Sequence, residues 1–562
     1  MPPRRSARAA STKPPTTEPK EATKKKQPAK APARPRSQPA KRRAPVDDES
    51  RTPSPPPPAK RRRAGSRAAT NRVAPEPAAK PASKPAAAAA TKPVAEPKPK
   101  RPKVVKEQRP YFNPLPTAPT EHARPAPQLF GWGAGNFGQL GMGEDALGEY
   151  EKPTRNKVVE QKMQDGEFGG DEAGLEAVAA GGLFTLLLDE KGTVWSFGTN
   201  DDAALGRITT NVPDPANEGE FLDVDTLTTQ PYPIESLVKE NFRTVRIAAG
   251  DSIAAALDTQ GDLRVWGSFR SMEGLLGFGE GSKHEFEPKK GDDILKLTNK
   301  PGDVEKISSV VAGNNHLVVL TTYGDVYAWG AGEQGQLGRK VIERRKIRGT
   351  KPEKIVLGNR THKAVTIGAG NYTSFAVDEK GTLWGWGLNN MGQTGTGYVN
   401  TALDNEVGLP KKVIGLSTDE LGDDDKIIQI AGGEHHTLFL TSSGKVYACG
   451  RSNGGQLGLP QDHPALQGRE IPDMVATPTL VPFPDEDDPV VDISAGIHNN
   501  LAVTRDGALY TWGTGPQSEL GAGDLSQVDT PKMIVKREGG SWASVAASCG
   551  GQHSVALLRK KA

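Results

Sequence analysis

The sequence predicts an all-β fold, a seven-bladed β-propeller preceded by a disordered basic tail, and three observations lead to this prediction. The composition of the 562-residue chain changes abruptly after the first fifth of its length. A glycine-marked pattern then recurs seven times. Between the markers, apolar residues alternate in short runs that are typical of β-strands. Repeated small sheets of this kind are expected to pack radially around an axis.

Residues 1–110 differ in composition from the rest of the chain. They contain 30 Lys and Arg against 8 Asp and Glu, a net charge of +22, whereas residues 111–562 contain 42 against 60, a net charge of −18. The first segment also holds 24 of the 47 prolines, a single glycine and no aromatic residue. Such a segment cannot bury enough apolar area to offset the entropy of ordering. We therefore expect a disordered tail over 1–110, a linker over 111–127 and the propeller over 128–562.

Two basic clusters in the tail have the spacing of a bipartite nuclear import signal. A stretch of 16 residues rich in proline and acid separates them, and their residues are Lys41, Arg42 and Arg43, then Lys60, Arg61, Arg62 and Arg63. The alternative is a solvated polycation that no receptor recognises. Lys and Arg at this density also neutralise phosphates without regard to sequence. The predicted partners of the tail are a nuclear import receptor and DNA.

Cysteine content and hydropathy exclude several classes of protein. Cys449 and Cys549 are the only cysteines, and they lack the spacing of zinc ligands or of a disulfide framework. No uncharged apolar run approaches the roughly 18 residues of a membrane span, and the N-terminal residues lack the apolar core of a signal peptide. We expect a soluble intracellular protein without a metal, a cofactor or a membrane partner.

The repeat has two glycine markers. The first markers are Gly181, Gly250, Gly313, Gly370, Gly433, Gly496 and Gly550. Each of the first six is followed 17 residues later by a second marker, Gly198, Gly267, Gly330, Gly387, Gly450 or Gly513. Gly550 has no such partner, and Trp132-Gly133 has no first half before it. We expect residues 542–558 to pair with residues 128–141, which closes the ring and removes free sheet edges.

Histidine occupies the fourth position of the first marker in three repeats, at His316, His436 and His553. Other repeats have Phe184, Ile253, Thr373 or Asn499 at this place. Because apolar residues are tolerated there, we interpret these histidines as buried side chains that bond to backbone groups. A metal site would need ligands that converge, which a ring of repeats does not provide.

The clearest repeat reads AGNNHLVVLTTYGDVYAWGAGEQGQLG, over residues 312–338. This pattern, in all seven copies, resembles the repeats of the regulator of chromosome condensation family. The resemblance implies a nuclear, chromatin-associated guanine nucleotide exchange factor for the small GTPase Ran, active as a monomer in nucleocytoplasmic transport and mitosis. Catalysis would be conformational, since no nucleophile triad or phosphate-binding loop is present. The alternative is a propeller scaffold that binds proteins and has no exchange activity.

One loop differs in length from its equivalents. Eight residues separate the second marker from the next Leu-Gly glycine in six repeats, but ten separate Gly267 from Gly277. The two added residues are either a tolerated loop insertion or a protruding hairpin. The resemblance favours a β-wedge with Arg270 as its charged element, formed by Ser268, Phe269, Arg270, Ser271, Met272, Glu273, Gly274, Leu275 and Leu276.

The resemblance also implies contact residues for Ran on one rim of the ring. Asp251, Asn315 and His435 lie in equivalent loops next to a marker, and Asn315 replaces an acidic residue of the family. Arg339 and Asn136 match two further contact positions. A basic stretch follows Arg339, and the resemblance assigns Arg344, Arg345 and Arg348 to the acidic patch of the nucleosome.

Overall fold

The computed structural model describes residues 109–561, apart from positions 171, 280, 296, 298–303, 360–361, 399–404 and 423. Thirty strands and a few short helices make these residues an all-β fold. No helix among them is long and apolar enough to cross a membrane. The basic tail, with Lys41–Arg43 and Lys60–Arg63, lies outside the described residues.

The strands form four-stranded antiparallel sheets, which we number 1 to 7 in chain order. The chain starts with β1 (Gln128–Ala134) and β2 (Glu149–Arg155), which belong to sheet 7. Sheet 1 contains β3 (Leu175–Ala180), β4 (Phe184–Asp189), β5 (Val194–Gly198) and β6 (Tyr232–Pro233). Sheet 2 contains β7 (Thr244–Ala249), β8 (Ile253–Asp258), β9 (Leu263–Gly267) and β12 (Glu285–Lys290), with a separate hairpin of β10 (Phe269–Ser271) and β11 (Gly274–Gly277).

Sheets 3 to 6 repeat this plan. Sheet 3 contains β13 (Ile307–Ala312), β14 (His316–Thr321), β15 (Val326–Gly330) and β16 (Glu353–Ile355). Sheet 4 contains β17 (Ala364–Ala369), β18 (Thr373–Asp378), β19 (Leu383–Leu388) and β20 (Glu406–Lys412). Sheet 5 contains β21 (Ile427–Gly432), β22 (His436–Thr441), β23 (Val446–Arg451) and β24 (Met474–Leu480), and one parallel pair, Ala369 with Ala431, joins it to sheet 4. Sheet 6 contains β25 (Val490–Ala495), β26 (Asn499–Thr504), β27 (Leu509–Thr514) and β28 (Gln527–Val535).

Sheet 7 combines strands from both ends of the described chain. Its strand order is β2, β1, β30 (His553–Lys560) and β29 (Trp542–Cys549). In the antiparallel pair of β1 and β30, Gln128 lies opposite Leu558 and Gly133 lies opposite His553.

The helices are short and lie in the connections between strands. They are α1 (Lys157–Gln164), α2 (Val224–Thr229), α3 (Glu235–Lys239), α4 (Gly291–Ile294) and α5 (Thr418–Leu421), with 3₁₀ helices at Glu144–Ala146, Glu343–Thr350 and Pro464–Leu466. Asn156 caps α1 by accepting a hydrogen bond from Val159 N.

The apolar core is divided into seven clusters, and each cluster lies between two neighbouring sheets. Trp266 packs with Phe184 between sheets 2 and 1, and Phe197 packs with Val555 between sheets 1 and 7. Every residue of the second strand is buried in sheets 1 to 6. Each sheet therefore depends on both of its neighbours for burial, because one sheet alone leaves two apolar faces in water.

The first glycine markers lie where neighbouring sheets approach one another. A Cβ added to Gly313 would lie 2.5 Å from Gly370 O, and one added to Gly550 would lie 2.7 Å from Gly181 O. No larger side chain fits such a distance. The ends of β3, β7, β13, β17, β21, β25 and β29 surround one central cavity of about 310 Å³.

The three predicted histidines are buried, but the partner group differs from the one we predicted. His316 Nε2 lies 2.8 Å from Ser374 Oγ in the next sheet, and Ser374 donates its own proton to Gln336 O. The imidazole Nε2 must therefore carry a proton and donate it. His436 contacts Asn500 and His553 contacts Thr185 at the same distance, 2.8 Å. The partners of the Nε2 atoms are therefore side chains of a neighbouring sheet.

The edge of the sheets opposite the first markers is closed by tight turns. In sheet 4, Asp378 accepts hydrogen bonds from Lys380 N, Thr382 N and Trp384 Nε1. Gly381 completes this turn with a φ of +74°, a conformation that favours glycine. Asp189 and Asp258 close the corresponding turns of sheets 1 and 2.

Residues 109–127, which comprise the last two residues of the predicted tail and the predicted linker of 111–127, pack along this same edge. Phe112 N and Asn113 N both donate to Thr322 O, at 2.8 and 3.0 Å. The buried Asn113 side chain donates to Thr321 O and Ala364 O, at 3.0 Å each. We call residues 109–127 the strap and this edge the strap rim. Within the predicted linker, the backbone and side-chain amides of Asn113 thus bond to backbone acceptors of this rim.

Candidate functional site

The opposite edge carries the predicted contact residues, and we call it the hairpin rim. It comprises the loops between first and second strands and those between third and fourth strands of each sheet. Backbone hydrogen bonds join the two kinds of loop: Ser268 N donates to Ser252 O, Ala331 N to Asn315 O and Arg451 N to His435 O, at 2.8 Å each. Asn136, Asp251, Asn315, Arg339 and His435 all lie in these loops.

The longer loop of sheet 2 forms the hairpin of β10 and β11. Ser268 and Phe269 are fully buried, and Phe269 stacks on Phe278 with ring centroids 6.3 Å apart. The turn faces solvent, with Met272 75% exposed and Leu275 42% exposed. The first two residues of the predicted wedge are thus its anchor, and the part that could touch a partner begins at Arg270.

Charged and amide groups meet at the base of the hairpin. Arg270 forms an ion pair with Asp202 of sheet 1, and Arg270 N donates to Asn315 Oδ1 of sheet 3 at 2.8 Å. Burial raises the pKa of Asp251, and the nearby Arg270 partly opposes this shift. Three predicted residues, Asp251, Arg270 and Asn315, are therefore neighbours.

Asn315 lies at the base of the hairpin rather than on the exposed surface of the rim. Its side chain is buried, 8% exposed, and its amide oxygen accepts the Arg270 backbone proton. The equivalent position in the family was expected to contact the GTPase directly. In this chain Asn315 fixes the base of the hairpin.

Arg339 is also less exposed than its loop position suggests. It donates to Lys351 O at 2.8 Å and to Gly349 O at 3.2 Å, and it lies 3.6 Å from Glu353. Only 14% of its side chain is exposed, and burial lowers the pKa of Arg339. Arg339 therefore fastens the ends of the basic segment, and its contact with a partner stays a prediction.

The basic segment forms two 3₁₀ turns across Glu343–Thr350, interrupted at Arg345 by φ −137° and ψ 32°. Gly349 lets it fold back on β15, because a Cβ there would lie 2.4 Å from Gly330 O. Arg344, Arg345 and Arg348 are exposed and lack ion pairs among the described side chains. Three unpaired guanidinium groups on one short segment suit an acidic partner.

His435 and Asn136 lie apart from the hairpin on the same rim. His435 Nε2 lies 3.8 Å from Glu434, whose other carboxylate oxygen lies 3.7 Å from His498 Nε2. Burial lowers the pKa of both histidines. Asn136 is exposed beside Phe137, at the border of a groove of about 560 Å³. The predicted contacts are thus spread around the rim, as a macromolecular partner requires and a small substrate does not.

Sequence reasoning missed several charged residues of this rim. Asp202, Glu333 and Lys346 all pair with the hairpin. Glu333 follows its second marker by three residues, as Asn136 follows Gly133. The resemblance selected Asn136, and comparing this offset in every repeat would have pointed to Glu333.

Other candidate chemistry has a structural explanation. His362, Asp378 and Glu379 place ligand atoms within 4.8 Å of one another on the strap rim. The Asp378 oxygens, however, already accept three hydrogen bonds in their turn. Burial raises the pKa of the Cys449 and Cys549 thiols, which keeps both as neutral, unreactive groups.

Comparison with known sequences gives one family and several named relatives. The RCC1-like domain matches residues 128–556. Protein pim1 of Schizosaccharomyces pombe is 33% identical over 451 residues, covering 79% of this chain and 76% of that protein. Guanine nucleotide exchange factor SRM1 of Saccharomyces cerevisiae is 32% identical over 450 residues, covering 76% and 86%.

A solved structure has the same fold. It is the crystal structure of Prp20p from Saccharomyces cerevisiae, described with its binding properties to Gsp1p and histones. Its TM-score is 0.65 at 30% identity, and the match covers 78% of this chain and 93% of that one.

Proposed function

The chain belongs to the family of RCC1-like domain proteins, and from that premise we propose that it is a guanine nucleotide exchange factor for the small GTPase Ran. The observation that carries the proposal is the hairpin of β10 and β11, which stands on a rim of charged loops with its turn in solvent. The name of SRM1 and the binding of Prp20p to Gsp1p support it.

The proposed architecture is a seven-bladed propeller closed by sheet 7. The pairing of β1 with β30, the seven inter-sheet clusters and the glycine contacts from Gly313 to Gly370 and from Gly550 to Gly181 support it. A closed ring gives a rigid platform, since each sheet is held on both faces. Such a platform can present the hairpin at a fixed height to a GTPase.

Exchange in this scheme requires no covalent step. The rim binds Ran, the hairpin turn disturbs the phosphate-binding loop of Ran, and the nucleotide leaves. The exchange factor and the nucleotide favour different conformations of Ran. Each must therefore weaken the binding of the other to Ran by the same factor. Asp251, Arg270 and His435 are the proposed contact groups, and Asn136 extends the contact surface toward sheet 7.

The charges of the two regions suit different partners. The segment 111–562, with a net charge of −18, would attract basic surfaces of a GTPase. The tail, with a net charge of +22, and the exposed Arg344, Arg345 and Arg348 would bind DNA and the acidic surface of histones. We propose a nuclear protein on chromatin, imported by a receptor that reads the two tail clusters. Replacing Lys41–Arg43 and Lys60–Arg63 by Ala should move it to the cytoplasm, and unchanged nuclear accumulation would refute the import signal.

The direct test is release of a fluorescent guanine nucleotide from Ran, followed in excess unlabelled nucleotide. The full chain at substoichiometric concentration should accelerate release by several orders of magnitude. A matched reaction without excess nucleotide should instead trap a stable complex of the chain with nucleotide-free Ran. A chain that binds Ran without accelerating release would support the scaffold alternative and overturn the exchange proposal.

A further inference from the structure

The hairpin turn contacts the loop that follows β15 in the next sheet. Lys346 Nζ lies 2.6 Å from Glu273 Oε2 in the turn and 3.4 Å from Glu333 Oε1. Lys346 is half-buried, unlike its exposed neighbours Arg344 and Arg345. One ammonium group therefore lies between two carboxylates from different sheets.

Glu333 also bonds to the backbone of the turn. Its second oxygen, Oε2, accepts a hydrogen bond from Met272 N at 2.7 Å. Both oxygens of Glu333 are thus engaged, one by the hairpin backbone and one by Lys346. With the bond from Arg270 N to Asn315 Oδ1, the hairpin is held at its base and at its turn.

The hairpin needs such outside contacts to keep one orientation. Among the described residues its strands, Phe269–Ser271 and Gly274–Gly277, pair with each other and with no further strand, and three or four residues do not make a stable isolated hairpin. Beyond the anchor at Phe269, the turn has solvent on its outer side. The direction of the turn is therefore set by contacts with the next sheet, where Gln334 Nε2 donates to Met272 Sδ at 2.8 Å and the other contacts are charged.

We infer that Lys346, acting with Glu333, is a positioning residue for nucleotide exchange: it holds the turn of the β10–β11 hairpin at the angle at which it meets the GTPase. This inference rests on the proposed exchange function. It also gives the basic segment Glu343–Thr350 a second use, because one of its cations serves the hairpin while its three exposed arginines remain free for an acidic partner.

The test compares Lys346→Ala with Lys340→Ala, which removes an exposed cation of the same basic stretch that has no assigned role. We expect Lys346→Ala to lower the maximal rate of nucleotide release from Ran about tenfold. This effect exceeds that of losing a surface ion pair and is smaller than that of displacing a reacting group. The concentration of Ran at half-maximal rate should change less than about twofold, because the other rim contacts are intact. Lys340→Ala should leave both values unchanged, and Lys346→Arg should restore the rate to within about twofold.

A second measurement does not depend on exchange activity. Deuterium uptake by residues 268–277 should rise in Lys346→Ala and stay at the parent level in Lys340→Ala and Lys346→Arg. Glu333→Gln should match Lys346→Ala, and the double variant should be no worse than either single one, since the two residues act together.

The outcomes separate this inference from the function on which it rests. A parent chain that releases no nucleotide refutes the exchange function, whatever the deuterium uptake shows. A parent that is active while Lys346→Ala releases nucleotide at the parent rate overturns the positioning role, as does unchanged deuterium uptake in the hairpin.

Discussion

The two rims come from the same repeat, yet their loops differ. On both rims a recurring polar side chain closes its own turn, as Asp378 does on the strap rim and Gln336 on the hairpin rim. Ion pairs also join neighbouring sheets on both rims, from Lys363 to Asp325 and from Lys346 to Glu273. The turns between second and third strands on the strap rim have one length in sheets 1 to 6, whereas the loop after β9 on the hairpin rim is longer than its equivalents and forms a hairpin. Loops that vary in this way can acquire a partner.

Opening the proposed ring should have the largest effect, because both rims depend on its closure. A chain ending at residue 540 loses β29 and β30. This removes the strand that pairs with β1 and disrupts two inter-sheet clusters. We expect both rims to be lost together, with no cooperative thermal unfolding by circular dichroism and with aggregation. A truncated chain that melts cooperatively at the parent temperature would contradict the closure.

Removing the strap should destabilise the protein while leaving the hairpin rim functional. A chain lacking residues 1–127 loses at least four hydrogen bonds to the strap rim, worth about 1 kcal/mol each. The free energy of unfolding in urea should fall by roughly 4 kcal/mol, with little change in nucleotide release from the folded fraction. A chain lacking residues 1–108 is the control and should unfold like the parent. Equal stability of the two truncated chains would show that the strap is not structural.

The buried His436 should contribute to stability, whereas its neighbour His435 is proposed to bind the partner. The pH dependence of unfolding tests the role of His436. Burial lowers the pKa of His436 to about 4, against about 6.5 in an unfolded chain. Between these values the unfolded state binds more protons, so this contribution to stability is present above about pH 6.5 and is lost as the pH falls toward 4, by about 3 kcal/mol. His436→Asn is a compatible replacement, since Asn499 occupies the same place in sheet 6. Urea unfolding from pH 7 to pH 4 should show a smaller loss in the variant, and parallel curves would refute the assignment.

The smallest effect on stability is expected at the proposed contacts. Asp251→Asn keeps the shape of a half-buried side chain, and burial raises the pKa of Asp251, so the neutral amide should change the free energy of unfolding by less than about 1 kcal/mol. His435→Gln should behave similarly. Binding of nucleotide-free Ran by calorimetry should weaken by about 2 to 5 kcal/mol for Asp251→Asn, which removes a charged contact, and by about 1 kcal/mol for His435→Gln, which removes a neutral hydrogen bond. Unchanged binding in both variants would remove these residues from the contact surface.

Much of the fold could be predicted because every repeat contains the same spacing of glycines and short apolar strands. The 17-residue interval between markers reflects a second and a third strand of fixed length, and the glycines reflect contacts too close for a side chain. The buried position of His316 also followed from the apolar residues at its equivalents. Its hydrogen-bond partner did not, because Ser374 belongs to the next sheet and no repeat contains both residues.

The candidate site was harder to predict, because its contacts also join residues of different repeats. The two added residues located the hairpin, but nothing in one repeat indicates that Lys346 lies beside Glu273, 73 positions away. Loop position suggested an exposed Arg339, whereas two backbone carbonyls of the following segment surround its guanidinium. Contacts between sheets depend on how the repeats pack, and the pattern of a single repeat does not contain that information.

The central claim is that the hairpin drives nucleotide release while the rest of the rim binds Ran. The most direct test is stopped-flow release of a fluorescent nucleotide from Ran by a chain lacking Met272 and Glu273, compared with a chain lacking the exposed Glu218 and Gly219 on the same rim. Both variants should bind nucleotide-free Ran within a few-fold of the parent. The control should release nucleotide at the parent rate, and the shortened hairpin should be at least about tenfold slower, as expected when a positioned group is displaced. Release at the parent rate by the chain with the shortened hairpin would contradict the account.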